Sequence, residues 1–184
     1  MNTVIGAGLS VLTFLGVSSL SAPAAADPPT GRVMIVNGKS NLCLTPAGGN
    51  RSLNDPVVQF HCDNDPSRLW GIIAVGGNMF EIANLNSGLC LTVAGGNTSR
   101  NDPVVQFACD TDPSRRWQVR FIGVNLFQLV NVNSSLCLTV AGGSTGLNVE
   151  AVQFPCDGDF SRNWRFGGPQ NAPPPSGGSG PVAQ

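Results

Sequence analysis

Short runs of alternating apolar and polar residues dominate this chain, which is the pattern of half-buried β-strands. Four such runs lie in its middle part: 79–83 (MFEIA), 89–93 (LCLTV), 104–107 (VVQF) and 117–122 (WQVRFI). In the last run Trp117, Val119 and Phe121 fall on one face. Turn-forming residues separate the runs, and no window has a persuasive helical period. The pattern therefore predicts an all-β chain in which helices are nearly absent.

The same pattern occurs three times. The segment 84–117 (NLNSGLCLTVAGGNTSRNDPVVQFACDTDPSRRW) has equivalents at 37–70 and 131–164, with a strict period of 47 residues. A fixed period indicates that each copy is one structural unit. Three four-stranded units give about twelve strands, and units related by rotation can close without an open sheet edge. We therefore predict a β-trefoil. A three-bladed propeller is the weaker alternative, because propellers usually have four or more blades.

Composition changes outside the repeats. We expect four regions: a signal peptide (1–26), a Pro-rich leader (27–32), the trefoil (33–166, with repeats at about 33–76, 79–123 and 126–166) and a disordered Pro/Gly/Ser-rich tail (167–184). The apolar run 4–20 precedes Ala24 and Ala26, whose small side chains suit cleavage after Ala26. The first three residues carry no Lys or Arg, which leaves an uncleaved membrane anchor as the alternative.

Six cysteines fall on the repeat, two per copy, which points to disulfides and an oxidising compartment. The simplest pairing lies within each repeat: Cys43–Cys62, Cys90–Cys109 and Cys137–Cys156. Pairing shifted by one repeat also respects the symmetry but needs longer-range closure. Two Cys per copy and one His in the chain are too few for zinc sites, and the Asp pairs give too few ligands for calcium. We expect no metal and no cofactor.

Charge and residue inventory exclude two function classes. Charged residues are 11% of the chain and the formal net charge is −1, so no basic stripe exists to neutralise the phosphates of a nucleic acid. His61 is the only histidine, and Glu81 and Glu150, the only glutamates, are at non-equivalent positions. An active site is usually single, whereas every polar cluster here is tripled. We therefore expect a protein that is not an enzyme.

The tripled motifs LCLTVAGG, VVQFxC and SRxW resemble those of the ricin B-chain-type lectin family, over about 33–166. The resemblance implies a β-trefoil that binds galactose-like or xylan-like sugars in one shallow pocket per repeat. All three copies depart from the family pattern in the same way. Thr replaces the sugar-binding Asp two residues after the first Cys, Phe replaces the Trp or Tyr platform, and Arg replaces Gln in the Gln-x-Trp motif. We therefore do not carry over a preference for galactose.

The candidate carbohydrate-binding residues follow from this resemblance: Thr45, Gln59, Phe60, Thr92, Gln106, Phe107, Thr139, Gln153 and Phe154. The Phe residues are also good core candidates, and burial is the favoured interpretation. The glutamines are equally consistent with outward-facing strand positions. Asp102 precedes the third strand of the second repeat, whereas the third repeat has Val149 there. If such Asp residues contact ligand, the third pocket is the weakest.

Other tripled residues have structural explanations. Trp70, Trp117 and Trp164 are expected in the core. Each Arg of the SRxW motif follows an Asp by three residues, which predicts a turn-bridging ion pair: Asp65–Arg68, Asp112–Arg115 and Asp159–Arg162. Turn Asp residues that cap backbone N–H groups explain the Asp pairs.

Together these features predict a secreted, monomeric, non-catalytic β-trefoil with up to three weak, equivalent sites for glycan or polysaccharide. After removal of the signal peptide we expect no membrane association. Two alternatives stay open. One is a protein-binding trefoil, such as a protease inhibitor, although the equal loop lengths argue against one specialised loop. The other is a targeting module separated from a catalytic partner.

Overall fold

The computed structural model describes residues 31–168 and is built from β-strands. The strands are β1 (Arg32–Asn37), β2 (Cys43–Pro46), β3 (Val57–Phe60), β4 (Leu69–Gly76), β5 (Met79–Asn84), β6 (Cys90–Val93), β7 (Val104–Phe107), β8 (Arg116–Gly123), β9 (Leu126–Asn131), β10 (Cys137–Val140), β11 (Ala151–Phe154) and β12 (Trp164–Gly167). Six three-residue 3-10 turns connect them: Ala47–Gly49, Pro66–Arg68, Ala94–Gly96, Pro113–Arg115, Ala141–Gly143 and Phe160–Arg162. Residues 31–168 contain no α-helix. The predicted signal peptide and most of the predicted tail lie outside the described residues.

Six strands close into a barrel. The antiparallel pairs β1–β4, β4–β5, β5–β8, β8–β9, β9–β12 and β12–β1 form a complete ring. The other six strands form three hairpins, β2–β3, β6–β7 and β10–β11, each joined to the barrel through its first strand. Ring closure leaves the barrel strands no free edge. The predicted β-trefoil of about twelve strands is confirmed.

The core lies inside the barrel and beneath the hairpins. Trp117 is fully buried, and its Nε1 donates to the Leu91 carbonyl at 2.9 Å, so the indole fills the interior with its one polar group satisfied. Trp70 and Trp164 do the same with the carbonyls of Leu44 and Leu138. The core prediction for the tryptophans is confirmed. No helix among residues 31–168 is long and apolar enough to span a membrane.

Each repeat contains its own disulfide. Cys43–Cys62, Cys90–Cys109 and Cys137–Cys156 are bonded, with Cα atoms 5.0–5.1 Å apart. The prediction of pairing within repeats is confirmed, and the pairing shifted by one repeat is excluded. Each bond ties the hairpin's first strand to the segment just after its second strand, 19 residues later. By loop-closure entropy, such a link contributes about 3 kcal/mol.

Neighbouring repeats are also joined by backbone hydrogen bonds between their hairpins. The backbone N–H of Asn54, in the first repeat, donates to the Gln106 carbonyl at 2.9 Å, and the Gln106 N–H donates to the Asp55 carbonyl at 3.1 Å. The same pair of bonds links the second repeat to the third and the third to the first. Isolated bridges such as Pro56–Val105 continue this contact. The loop before each hairpin's second strand is therefore held against the next repeat.

Candidate functional site

Three equivalent hollows open on the surface, one per repeat, and are called here the first, second and third pockets. Their volumes are about 240, 280 and 140 Å³. The second pocket is lined by Asn54, Thr92, Val93, Gly95, Gly96, Val105, Phe107, Asp112, Ser114 and Arg115. Phe60, Asp65, Arg68 and Asn148 line the first pocket, and Phe154, Asp159, Arg162 and Asn101 line the third. Each pocket thus combines an aromatic ring, a carboxylate, a guanidinium and an amide.

The Ala-Gly-Gly turn shapes one wall. In the second repeat Gly95 and Gly96 both have positive φ, +62° and +65°, and the turn closes with a hydrogen bond from the Asn97 N–H to the Ala94 carbonyl. A side chain at either glycine would strain the backbone, so this part of the pocket is bare main chain. Such a wall allows a ligand to approach the backbone closely.

A cation–π pair forms another part of the lining. The Arg115 guanidinium carbon lies 4.8 Å from the centre of the Phe107 ring, and the corresponding distances in the first and third pockets are 5.1 and 4.7 Å. Phe107 is half-buried, so it is neither a fully buried core residue nor a fully exposed platform for a sugar. Arginine over the ring orients both side chains and leaves them at the pocket surface.

Two carboxylates hold the arginine. Arg115 Nη1 lies 2.9 Å from Asp110 Oδ1 and 3.4 Å from Asp112 Oδ2. The predicted ion pair with Asp112 is confirmed, as are those between Arg68 and Asp65 and between Arg162 and Asp159. The Arg115 side chain is 13% exposed and that of Asp112 is 49% exposed. Asp112 therefore presents a half-exposed carboxylate to the pocket.

The same Asp112 caps the 3-10 turn, because its Oδ1 accepts from the Ser114 N–H at 2.8 Å. Hydrogen bonds from Ser114 lower the pKa of Asp112, and the charge of Arg115 lowers it further. The pKa of Asp65 and of Asp159 is lowered in the same way by Ser67 and Ser161. These carboxylates are therefore ionised at neutral pH. An ionised carboxylate accepts stronger hydrogen bonds from hydroxyl groups than a neutral group does.

The candidate threonines line the pockets but use their hydroxyls internally. Thr92 is 3% exposed, and its Oγ1 donates to the Ser114 carbonyl at 3.1 Å. Thr45 and Thr139 make the equivalent bonds to Ser67 and Ser161. Each threonine therefore joins the hairpin to the turn that carries the pocket Asp and Arg.

The candidate glutamines lie elsewhere. Gln106 is fully buried; its Nε2 donates to the carbonyls of Asn50 and Ser52, and its Oε1 accepts from Ser87 Oγ. Gln59 and Gln153 are buried with equivalent partners. The structure thus brings the candidate Thr and Phe residues together but not the glutamines, which hold the loop of the preceding repeat.

Each pocket is shared between two repeats. Asn54 belongs to the first repeat but lines the second pocket, Asn101 lines the third and Asn148 lines the first. All three adopt a left-handed backbone, with φ of 63°, 64° and 58°, which Asn tolerates better than most residues. The loop with Val149 therefore borders the first pocket, so the expectation of a weakened third pocket rested on the wrong assignment of loops to pockets.

Sequence reasoning assigned the SRxW Arg and the preceding Asp to a structural turn and missed that they also line the pocket. Asn54, Asn101 and Asn148, which also line the pockets, are not among the residues that the sequence predicts for the site. The sequence feature that could have identified them is their repetition, because the same polar residue stands at the equivalent position of all three repeats. In the second repeat Thr92 stands where the family pattern has a sugar-binding Asp, but the pocket still contains a carboxylate, that of Asp112.

Comparison with known proteins agrees with this architecture. The family model described as the ricin-type beta-trefoil lectin domain matches residues 31–164. A sequence search of curated proteins gives no match. Similar solved structures include the designed threefold symmetric protein ThreeFoil (21% identity, TM-score 0.72, 73% of this chain and 96% of that chain) and a Macrolepiota procera ricin B-like lectin in complex with lactose (14%, 0.66, 77% and 98%). An exo-beta-1,3-galactanase from Clostridium thermocellum is 22% identical, with a TM-score of 0.73, over 76% of this chain but only 30% of its own.

Proposed function

Because this chain belongs to the ricin-type β-trefoil lectin family, we propose that it is a secreted, non-catalytic carbohydrate-binding protein. Ligand binds weakly in each of up to three pockets, and the protein acts as a monomer. The observation that carries the proposal is the tripled pocket itself, in which a half-buried Phe, an ionised Asp and an Asn amide face one hollow beside bare backbone.

The chemistry of each pocket suits a sugar ring. The carboxylate of Asp112 accepts hydrogen bonds from hydroxyl groups, and the amide of Asn54 can both donate and accept. The Phe107 ring offers apolar contact to the C–H face of a pyranose. In this proposal Thr92 supports the turn rather than contacting ligand, and Gln106 positions the loop that carries Asn54.

Three weak sites on one rigid body favour a polymeric ligand. Once one pocket is occupied, the local concentration of further sugar units at the other pockets is high if the spacing matches. Avidity can then exceed the affinity of a single site by orders of magnitude. We therefore expect retention on insoluble polysaccharide at concentrations where a monosaccharide binds poorly.

The pocket carboxylates argue for binding rather than hydrolysis. A glycosidase acid needs a carboxyl group with a raised pKa, so that it holds a proton near neutral pH. The pKa of Asp112 is instead lowered by Ser114 hydrogen bonds and by Arg115. Secretion rests on the sequence of residues 1–26 and on the three disulfides.

The test is binding of the full secreted chain to a glycan array and to insoluble xylan, chitin and cell-wall polymers. A variant with Asp65→Asn, Asp112→Asn and Asp159→Asn keeps an oxygen for each turn cap but removes the charged acceptor from every pocket. We expect retention to fall at least tenfold, since three sites are weakened together. Glu150→Gln removes one exposed carboxylate outside the pockets and should leave retention unchanged.

Failure of the unmodified protein to bind any of these ligands would refute carbohydrate binding. Equal losses in the triple variant and in Glu150→Gln would refute the assignment to the pockets. Release of reducing sugar from a bound polymer would show catalysis and contradict the non-catalytic assignment. The N-terminus of protein collected from the medium tests secretion, and Asp27 is the expected first residue.

A further inference from the structure

One position breaks the threefold equivalence of the pockets. Lys39 is the only lysine of the chain, and its equivalents in the second and third repeats are Asn86 and Asn133. These two asparagines donate through Nδ2 to the carbonyls of Gly49 and Gly96, in the walls of the first and second pockets, at 2.9 and 2.8 Å. Lys39, in the first repeat, therefore places a cation at the position where the second and third repeats place a neutral amide.

The Lys39 ammonium lies beside the third pocket. Its Nζ is 3.3 Å from where a Cβ on Gly143 would stand, and Gly143 lines that pocket. Lys39 is exposed. Among the described residues its ammonium forms no ion pair within 4.0 Å, whereas Arg162 in the same pocket contacts both Asp157 and Asp159. The charge of Lys39 is thus available to a ligand in a way that the charge of Arg162 is not.

The field of Lys39 reaches into the pocket. Hydrogen bonds from Ser161 lower the pKa of Asp159, and the charges of Lys39 and then Arg162 lower it further. In the second pocket Arg115 is the one cation of residues 31–168 that lowers the pKa of Asp112.

The second and third pockets are otherwise closely matched. Each has one arginine and two aspartates from its own repeat, and an Asn-Asp loop from the preceding repeat that also carries one exposed arginine, Arg51 in the loop of the second pocket and Arg100 in that of the third. The carboxylates of those loops, Asp55 and Asp102, are engaged in the same way, by a serine N–H and by the buried glutamine. The replacement of Asn133, beside the second pocket, by Lys39, beside the third, is therefore the main charge difference between two otherwise similar pockets.

We propose that the third pocket selects a sugar that carries an anionic group, carboxylate or sulfate, and that Lys39 is the residue that determines this specificity. The inference rests on the proposed function and adds a ligand class to one of its three sites. A lysine ammonium is a point charge that attracts either anion, so the shared feature is the negative charge on the ring substituent. The first and second pockets, which lack this cation, take neutral sugars.

The experiment is a ¹H–¹⁵N NMR titration of the full chain, read separately at the amides of Gly49, Gly96 and Gly143. The ligands are galactose and glucose, their C6 carboxylates galacturonate and glucuronate, and galactose 6-sulfate. At low salt we expect an anionic sugar to bind at Gly143 about twofold to fivefold more tightly than its neutral parent, the range of one exposed ion pair. At Gly96 we expect no such preference. Added salt should reduce the difference.

Two exchanges test the residue. Lys39→Asn restores the side chain of the other repeats and should abolish the preference at Gly143. Asn133→Lys transfers the ammonium to the second pocket and should create the preference at Gly96. Both positions are exposed, so we expect both variants to fold, and the unchanged amide spectrum away from the pockets checks this.

The outcomes are distinct. Equal affinity of anionic and neutral sugars at Gly143, or a preference that survives Lys39→Asn, overturns this inference and leaves the proposed function intact if neutral sugars shift all three glycines. No shift at any of the three glycines, with any sugar, overturns both. A preference confined to galacturonate and glucuronate identifies the anion as carboxylate, and one confined to galactose 6-sulfate identifies it as sulfate.

Discussion

Replacing Gln106 by Met separates support of the pocket from contact with ligand. Gln106 donates through Nε2 to the carbonyls of Asn50 and Ser52 at 3.0 and 3.1 Å and accepts from Ser87 Oγ at 2.7 Å. Met has a similar volume, so Gln106→Met removes these hydrogen bonds and leaves little cavity. A fourth, longer contact joins Nε2 to Asp55 Oδ2 at 3.4 Å. At about 0.5–1.5 kcal/mol net for each of the three shorter bonds, we expect the free energy of unfolding to fall by about 1.5–4.5 kcal/mol.

The same change should weaken one pocket only. The lost bonds hold the loop that carries Asn54 to the second pocket, while Gln59 and Gln153 still hold the loops of the other two. Ordering that loop on binding then costs about 1 kcal/mol, roughly fivefold in affinity at the second pocket. The first and third pockets should keep their affinity.

Urea unfolding followed by tryptophan fluorescence measures the stability, and sugar titration read at the amide of Gly96 measures the pocket. Gln118→Met is the matched control, because Gln118 is exposed on β8 and should change the unfolding free energy by less than about 0.5 kcal/mol. If Gln106→Met were as stable as the control variant while sugar binding at Gly96 was lost, the glutamine would contact the sugar directly. The supporting role argued from its burial would then be wrong.

Three further predictions concern stability. Trp117→Ala should lower the unfolding free energy by about 3–5 kcal/mol in urea denaturation, because it empties the centre of the core; a loss below 1 kcal/mol would contradict this. Joint replacement of Cys90 and Cys109 by Ala should cost about 3 kcal/mol in the same assay, and an unchanged midpoint would refute stabilisation by the cross-link. Hydrogen bonds from Ser114 hold the folded-state pKa of Asp112 below its ordinary 3.8. The stabilisation that ionised Asp112 contributes is therefore fully present well above pH 3.8 and is lost as the pH falls through the lower folded-state pKa. Asp112→Asn should reduce the loss of stability on acidification below pH 3.8 in the same assay, and an unaltered acid profile would show that the carboxylate contributes nothing.

The strands were predictable because their pattern is local. The predicted third strand of the middle repeat, 104–107, coincides with β7 (Val104–Phe107). The predicted fourth strand, 117–122, is one residue shorter at each end than β8 (Arg116–Gly123), because pairing with β5 and β9 extends the strand beyond its alternating core. Burial of Trp117 and Val119 follows from the same alternation.

The pocket was only partly predictable because it depends on contacts between repeats. Phe107 was a candidate from the family pattern, and the structure places it in the pocket beneath Arg115. Asn54 reaches the second pocket from the first repeat, a relation that spacing alone does not reveal. Gln106 lies next to Phe107 in sequence but on the other face of the strand, where it is buried against the preceding repeat's loop.

The amino-acid sequence by itself determined the repeating unit: four short strands, a core tryptophan and a cysteine pair, three times over. These are properties of neighbouring residues, written in alternation and period. Only the tertiary structure decided which polar side chains meet in a pocket and which lie buried between repeats. The physical reason is that barrel closure brings the loop of one repeat against the hairpin of the next, so the site belongs to the assembled ring and to no single repeat.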